Sequence, residues 1–309
     1  MREACLDQVY HLAKSDPRIV FIGSDLGAGT LKNFKEEMPG RFYMEGISEM
    51  HVVGMAAGLA LEGSVVYVNT ISTFLTRRCF EQVAVDVCLH NLDVRLIGNG
   101  GGLVYAPLGP THLAIEDISI FRALPNMTIV AVADAEEMKR LMPQTVDHDG
   151  PIYIRLAKGY DPVVTDDKVA FRIGKGLAMR QGRDALLVTT GITLKVAQEA
   201  AKALATQGIE CAILHMPTIK PLDQEQLLAL ADPVRAVVAV EENSVIGGLG
   251  SAVAEVIAEA GYSTGKKFRR IGIPDVFPDR YGSQANLMDY HRINTDAVVS
   301  TVRALLGVK

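Results

Sequence analysis

The chain has 309 residues, 49% of them hydrophobic and 22% charged, with a formal net charge of -5 at pH 7. That balance excludes a disordered or fibrous chain and offers no basic footprint for nucleic acid or an anionic membrane surface. Apolar runs stay short of the roughly 18 residues that cross a bilayer, and the scattered Cys5, Cys79, Cys88 and Cys211 form no C-x-x-C pair for zinc or a disulfide framework, so a reducing, cytoplasmic setting is expected.

An amphipathic helix pattern comes first, MREACLDQVYHLAKSDPR. The strand-like runs RIVFIG, VVYVN, DVRLIG, MTIVAV and PIYIRL follow, alternating with helical patterns over 33–37, 50–61, 73–90, 115–123 and 135–147. Short β-rich runs separated by helices predict an α/β fold with mainly parallel sheets. The stretch KGYDPVVTDDKVAFRIGKGLAMRQGRD scatters Gly, Asp and charge without a helical period, which reads as a linker. Beyond it ALLVTTG, ECAILHM, RAVVAVEE and FRRIGI are strand candidates, with helices over 194–206, 224–231, 247–261 and 295–306. The expected division is a first domain over 1–165, a linker over 166–182 and a second domain over 183–309.

Within the first domain, FYMEGISEMHVVGMAAGLALEG, residues 42–63, places Glu49 at the mouth of an apolar helix. The helix dipole favours a carboxylate there, and Ser48 is a candidate cap. Gly54, Ala56, Ala57, Gly58 and Ala60 lack bulk, so the helix can lie close against another element or a flat ligand. A buried carboxylate without a partner costs several kcal/mol; Glu49 therefore needs one. His51 beside it is a candidate for lining the same site or an interface. In the second domain, VIGGLGSA, residues 245–252, has a glycine-rich turn but no acidic residue suitably placed on a following strand, and reads as a tight turn into a packed helix rather than a dinucleotide site.

FYMEGISEMHVVGMAAGLALEG resembles the pyrimidine-binding domain of transketolase and deoxyxylulose phosphate synthase, enzymes dependent on thiamine diphosphate. NTISTFLTRRCFEQVAVDV, the tetrapeptide GPTH over 109–112, RALPNMTIVAVADAEE and GPIYIRLAKG extend the likeness, and VVAVEENSVIGGLGSAVAEVI with FRRIGIPDVFPDRYGSQANLMDYHRINTDAVV resembles the C-terminal domain of the same group. The resemblance implies that Glu49 hydrogen-bonds the cofactor's aminopyrimidine ring, whose activation is the first catalytic need. It also implies that Phe74 stacks on that ring with Ile71 and Arg77 nearby. By the same likeness His112 reaches the reacting carbon and Arg155 binds a substrate phosphate; Tyr105, in the glycine-rich loop GNGGGLVYAPLGPTH, is a candidate for lining the substrate channel. Gly100 and Leu108 stand where transketolases carry sugar-reading His and Asp residues, which leaves donor and acceptor open.

The resemblance implies a thiamine diphosphate site with Mg²⁺, yet no G-D-G motif is present; the nearest string is His148-Asp149-Gly150, which runs into a strand. Metal and diphosphate ligands are thus expected from a separate N-terminal (α) subunit, with this chain the β member of an α2β2 heterotetramer and no metal ligands of its own. The implied activity is transfer of a two-carbon ketol unit from a ketose phosphate to an aldehyde. The β subunit of a 2-oxo acid dehydrogenase, a deoxyxylulose phosphate synthase-like enzyme and a non-catalytic homologue are the alternatives.

Overall fold

The computed structural model describes residues 1–24, 31–157, 161–166, 169–262 and 265–308, so the expected linker lies outside them at 167–168. The chain forms two α/β units. In the first, the strands β1 (Ile19–Gly23), β2 (Phe42–Met44), β3 (Val65–Ile71), β4 (Val94–Asn99), β5 (Thr128–Ala131) and β6 (Ile152–Leu156) are all parallel. β1 reads IVFIG and is buried at every position, as a parallel strand covered on both faces must be. Alternation divides its side chains. Val20 and Ile22 join Val66 and Val68 against one layer of helices, whereas Ile19 and Phe21 join Val65 and Tyr67 against the other.

The helices that matter most for the site are α1 (Arg2–Ser15), α2 (Lys32–Glu37), α3 (Glu49–Leu61) and a helical run over 74–88. That run was expected as one helix over 73–90. Instead, wide π turns over Phe74–Arg78 and Val83–Cys88 flank the single α turn α4 (Phe80–Gln82), and such turns re-aim side chains near functional sites. α5 (Asp117–Arg122) starts later than expected because the Ile115 carbonyl accepts from Ser244 N at 2.6 Å. α6 (Ala135–Leu141) passes into a tighter 3₁₀ turn over Met142–Thr145, where Pro143 supplies no N–H for the α ladder.

The second sheet orders β12 (Lys267–Ile273), β11 (Ala236–Ser244), β8 (Ala185–Thr189), β9 (Cys211–His215) and β7 (Leu177–Arg180), with β7 antiparallel at the edge. β7 lies inside the stretch expected as linker. Around this sheet sit α7 (Thr193–Ala205), α8 (Gln224–Ala231), α9 (Leu249–Glu259), α10 (Gln284–Tyr290) and α11 (Thr295–Leu306). α10 escaped the periodicity reading; Ser283 and Asn286 hold its start as a capping box. The two units interlock: β10 (Thr218–Lys220) follows β9 in sequence but pairs antiparallel with β5 on the edge of the first sheet. Among the described residues no helix is long and apolar enough to cross a membrane.

Candidate active site at the carboxyl ends of the first sheet

α3 starts at Glu49, and its helix face is set by Val52, Val53, Ala56 and Ala57, which pack onto the sheet. That packing carries the Glu49 carboxylate inward, leaving the residue 2% exposed. Ser48 does not cap the helix: its hydroxyl donates to the Glu45 carbonyl at 2.7 Å. The partner of Glu49 is Arg78, whose Nη1 donates to Oε2 at 2.5 Å. The same guanidinium lies 4.8 Å from the centroid of the Phe74 ring, a cation–π distance. His112 presents its ring edge-on to Phe74 at 5.2 Å, and Tyr105 approaches His112 at 6.5 Å. Glu49, Arg78, Phe74, His112 and Tyr105 thus form one continuous series, with Phe74, His112 and Tyr105 all half-buried.

Tyr105 also explains Gly100. Any β carbon at position 100 would fall 2.1 Å from the tyrosine ring, so the ring fills the room that a larger residue there would need. His112 Nδ1 hydrogen-bonds the Thr111 hydroxyl at 2.9 Å. Ile71 ends β3, paired in register with Asn99, and His51 is exposed on α3.

Both expected site arginines are engaged by other residues of the chain. Arg77 grips Glu116 through Nε and Nη2 and donates to the Leu113 carbonyl at 3.0 Å, so it ties the helical run to the His112 loop. Arg155, expected to meet a substrate phosphate, is 6% exposed and bound to Asp117 at 2.7 Å, with further bonds to the carbonyls of Ala114 and Glu242. Buried ion pairs with this many partners fix geometry; this arginine joins β6, α5 and β11. Gly54 and Gly58 face open space: a methyl group at either would meet no atom of the described residues within 4 Å.

Sequence reasoning missed a polar floor. Ser24 Oγ donates to Thr70 Oγ1 at 2.8 Å, and Asn99 Nδ2 donates to Asn69 Oδ1 and to the Thr70 carbonyl. Asn69 Nδ2, Asn99 Oδ1 and Thr73 Oγ1 are buried without a hydrogen-bond partner among the described residues. Such orphans at the carboxyl ends of β3 and β4 mark the place where parallel α/β sheets take ligands. The signal was available: VVYVNTI places two polar residues, Asn69 and Thr70, near the end of an otherwise apolar strand.

Together these groups fit a planar, nitrogen-containing ring: a buried acceptor, an aromatic face and unpaired polar atoms nearby. Cys79 offers no nucleophile, because burial, with Glu49 beside it, pushes its thiol up to about 12. Among the described residues no cluster of three or more His, Cys, Asp or Glu side chains is placed to hold a metal ion.

Residues 1–160 match the family model described as transketolase, pyrimidine binding domain, and residues 174–298 match transketolase, C-terminal domain. The chain is 36% identical over 94% of its length to the 6-deoxy-6-sulfo-D-fructose transketolase subunit of Clostridium sp. (strain MSTE9), covering 88% of that protein. It is 34% identical over 98% of its length to the putative transketolase C-terminal section of Methanocaldococcus jannaschii, covering 95% of it. 1-Deoxy-D-xylulose-5-phosphate synthase 1 of Geobacter sulfurreducens is 38% identical over 98% of this chain, which spans 47% of that longer protein. Among solved structures, a split gene transketolase described as an inactive β4 tetramer superimposes with a TM-score of 0.89 at 34% identity, over 100% of this chain and 98% of that one. The chain belongs to the transketolase family and pairs its pyrimidine-binding domain with its C-terminal domain.

Proposed function

We propose that this chain is the β subunit of a split, thiamine diphosphate-dependent transketolase-like enzyme that moves a two-carbon ketol unit from a ketose phosphate to an aldehyde. The observation that carries the reading is Glu49, a carboxylate 2% exposed, within the same cluster as the Phe74 ring. Glu49 would hold the aminopyrimidine ring, with Phe74 and Ile71 against its faces. Thiamine diphosphate, when bound, supplies the carbanion chemistry that breaks and makes the carbon–carbon bond. Glu49's task is to hold a proton at the ring nitrogen, and a water-poor setting favours such exchange. His112 and Tyr105 would orient the substrate beside it.

A separate α subunit would supply Mg²⁺ and the diphosphate ligands, giving an α2β2 assembly with the site between chains. The surface of α3 and the helical run supports this. Ile47 just before α3, Met50 and Leu61 on it, Phe80 and Val85 on the helical run packed against it, and Leu89 just after are exposed, and apolar side chains gathered on adjoining elements suit a protein interface. The names of similar proteins, a transketolase subunit and a C-terminal section, point the same way.

Product analysis of the complex reconstituted with a candidate α subunit tests the reading. Sugar exchange supports it. Release of CO₂ with acyl transfer to lipoamide would indicate a 2-oxo acid dehydrogenase, and condensation of pyruvate with glyceraldehyde phosphate would indicate the synthase branch, to which the 38% identity over nearly the whole chain gives weight.

A further inference from the structure

The loop that carries Tyr105 and His112 belongs to the first domain by sequence and to the second by packing. It leaves β4, closes on itself through Gly102 N to the Ala114 carbonyl at 2.9 Å and Ala114 N to the Gly102 carbonyl at 3.1 Å, and enters α5. Leu103, Ala106, Leu113 and Ile115 are buried in one apolar cluster with Val240, Ile273 and Leu287 of the second domain. At the neck of the loop lies Glu242 of β11, 3% exposed. Its Oε1 accepts from Leu103 N at 2.8 Å and from Gln284 Nε2 of α10 at 2.8 Å.

The neck is built around that carboxylate. Gly102 has φ +66°, and a β carbon there would fall 2.5 Å from Cδ of Glu242. Arg155 Nη2 bonds the Ala114 carbonyl at 3.1 Å and the Glu242 carbonyl at 2.9 Å, so it joins the second strand of the neck to the residue that holds the first. Leu103 itself is fully buried. Without the carboxylate its N–H would be a buried donor lacking a partner, which disfavours this arrangement of the neck.

We propose that Glu242 is a positioning residue for the reaction: through Leu103 it sets the loop that aims His112 and Tyr105 at the substrate. Gln284 in turn holds the carboxylate. The inference rests on the role given to His112 above. Misplacement of about 1 Å in an orienting group costs up to roughly 10²-fold in rate, so the second domain governs turnover without touching substrate.

The test compares Glu242→Gln, which keeps an oxygen acceptor, with Glu242→Met, which keeps length and removes it. The chain contains no tryptophan, so Leu108→Trp, at a half-exposed position on this loop, supplies a reporter in the full chain. The Met variant is expected to raise acrylamide quenching of that tryptophan. In the reconstituted complex, without the reporter, it is expected to lower kcat on the order of tenfold with KM changed less than about twofold. The Gln variant is expected to restore both measures to within about twofold of the parent. Gln284→Ala, which leaves β11 intact, gives an intermediate loss and stands in if the Met variant does not fold. Gln and Met variants that behave alike in both measurements would overturn the proposal, as would lost turnover with unchanged quenching. Failure of the unsubstituted complex to exchange sugars would count against the function proposed above, while the quenching contrast still decides whether Glu242 holds the loop.

Discussion

The guanidinium of Arg78 meets two groups of the site at once, donating to Glu49 at 2.5 Å and lying 4.8 Å from the centre of the Phe74 ring. A planar cation thus bonds the buried carboxylate and lies over the aromatic face, the two groups proposed above to hold a cofactor ring. Its side chain is 41% exposed, whereas that of Glu49 is 2% exposed. Arg78 therefore sits at the solvent side of the pair.

Arg78→Ala removes the cation and leaves Glu49 buried. Loss of one member of a fully buried pair costs about 3–5 kcal/mol, and partial water access to this one reduces the figure to about 1–2 kcal/mol. Urea unfolding of the chain checks it; a change below about 0.5 kcal/mol would show that Glu49 does not depend on Arg78.

Glu49→Gln keeps the shape of the side chain and a hydrogen-bonding oxygen but removes the charge and the exchangeable acid. Sugar exchange by the reconstituted complex is expected to fall by roughly 10²- to 10⁴-fold, the range of general acid–base contributions, with thermal stability of the chain unchanged or slightly raised. Turnover within about twofold of the parent would remove Glu49 from the mechanism.

Glu241 and Glu242 give the chain a pH signature. Burial pushes both carboxyls up to about 7, against backbone hydrogen bonds from Gly250 and Leu249 for Glu241 and the nearby charge of Arg155 for Glu242. Between the ordinary value near 4.5 and about 7, the folded chain holds protons that the unfolded chain has released. Stability contributed by these groups is therefore present at low pH, declines as pH rises through that window and levels off above it. Unfolding free energies at pH 5.5 and pH 8 are expected to differ less in Glu242→Gln than in the parent. Equal differences in the two proteins would show that Glu242 keeps its ordinary titration in the fold.

Gly109 begins the turn that ends at His112, with φ +76° and the Tyr281 ring 2.7 Å from where a β carbon would stand. Gly109→Ala is expected to destabilise the chain by about 1–3 kcal/mol through the left-handed backbone and to lower kcat more than it changes KM. Parent-like melting and turnover would show that the turn tolerates a side chain.

The architecture was legible where one local pattern decided it. IVFIG and VVYVN are buried on both faces, so each reads as an apolar run of a parallel strand, and Pro, Gly and polar clusters marked most ends. β10 was not legible, because three residues that cross to another sheet carry no periodic signal. Arg77 and Arg78 are neighbours of one type, and only the π turn over 74–78 decides that the second faces Glu49 while the first grips Glu116. Arg155 looked available because its partners lie far off in sequence: Asp117, on α5, and the carbonyl of Glu242, on β11 in the other domain. The family resemblance named Glu49, Phe74 and His112; the contacts that join Phe74 to His112, and the loop's dependence on the second domain, are tertiary facts.

The central claim is that this chain supplies only the pyrimidine side of a cofactor site completed by another subunit. Calorimetric titration of thiamine diphosphate with Mg²⁺ into the purified chain, alone and then with the α subunit, tests it most directly. The account predicts no binding by the chain alone and saturable binding by the complex, lost in Glu49→Ala; tight binding by the chain alone would contradict it.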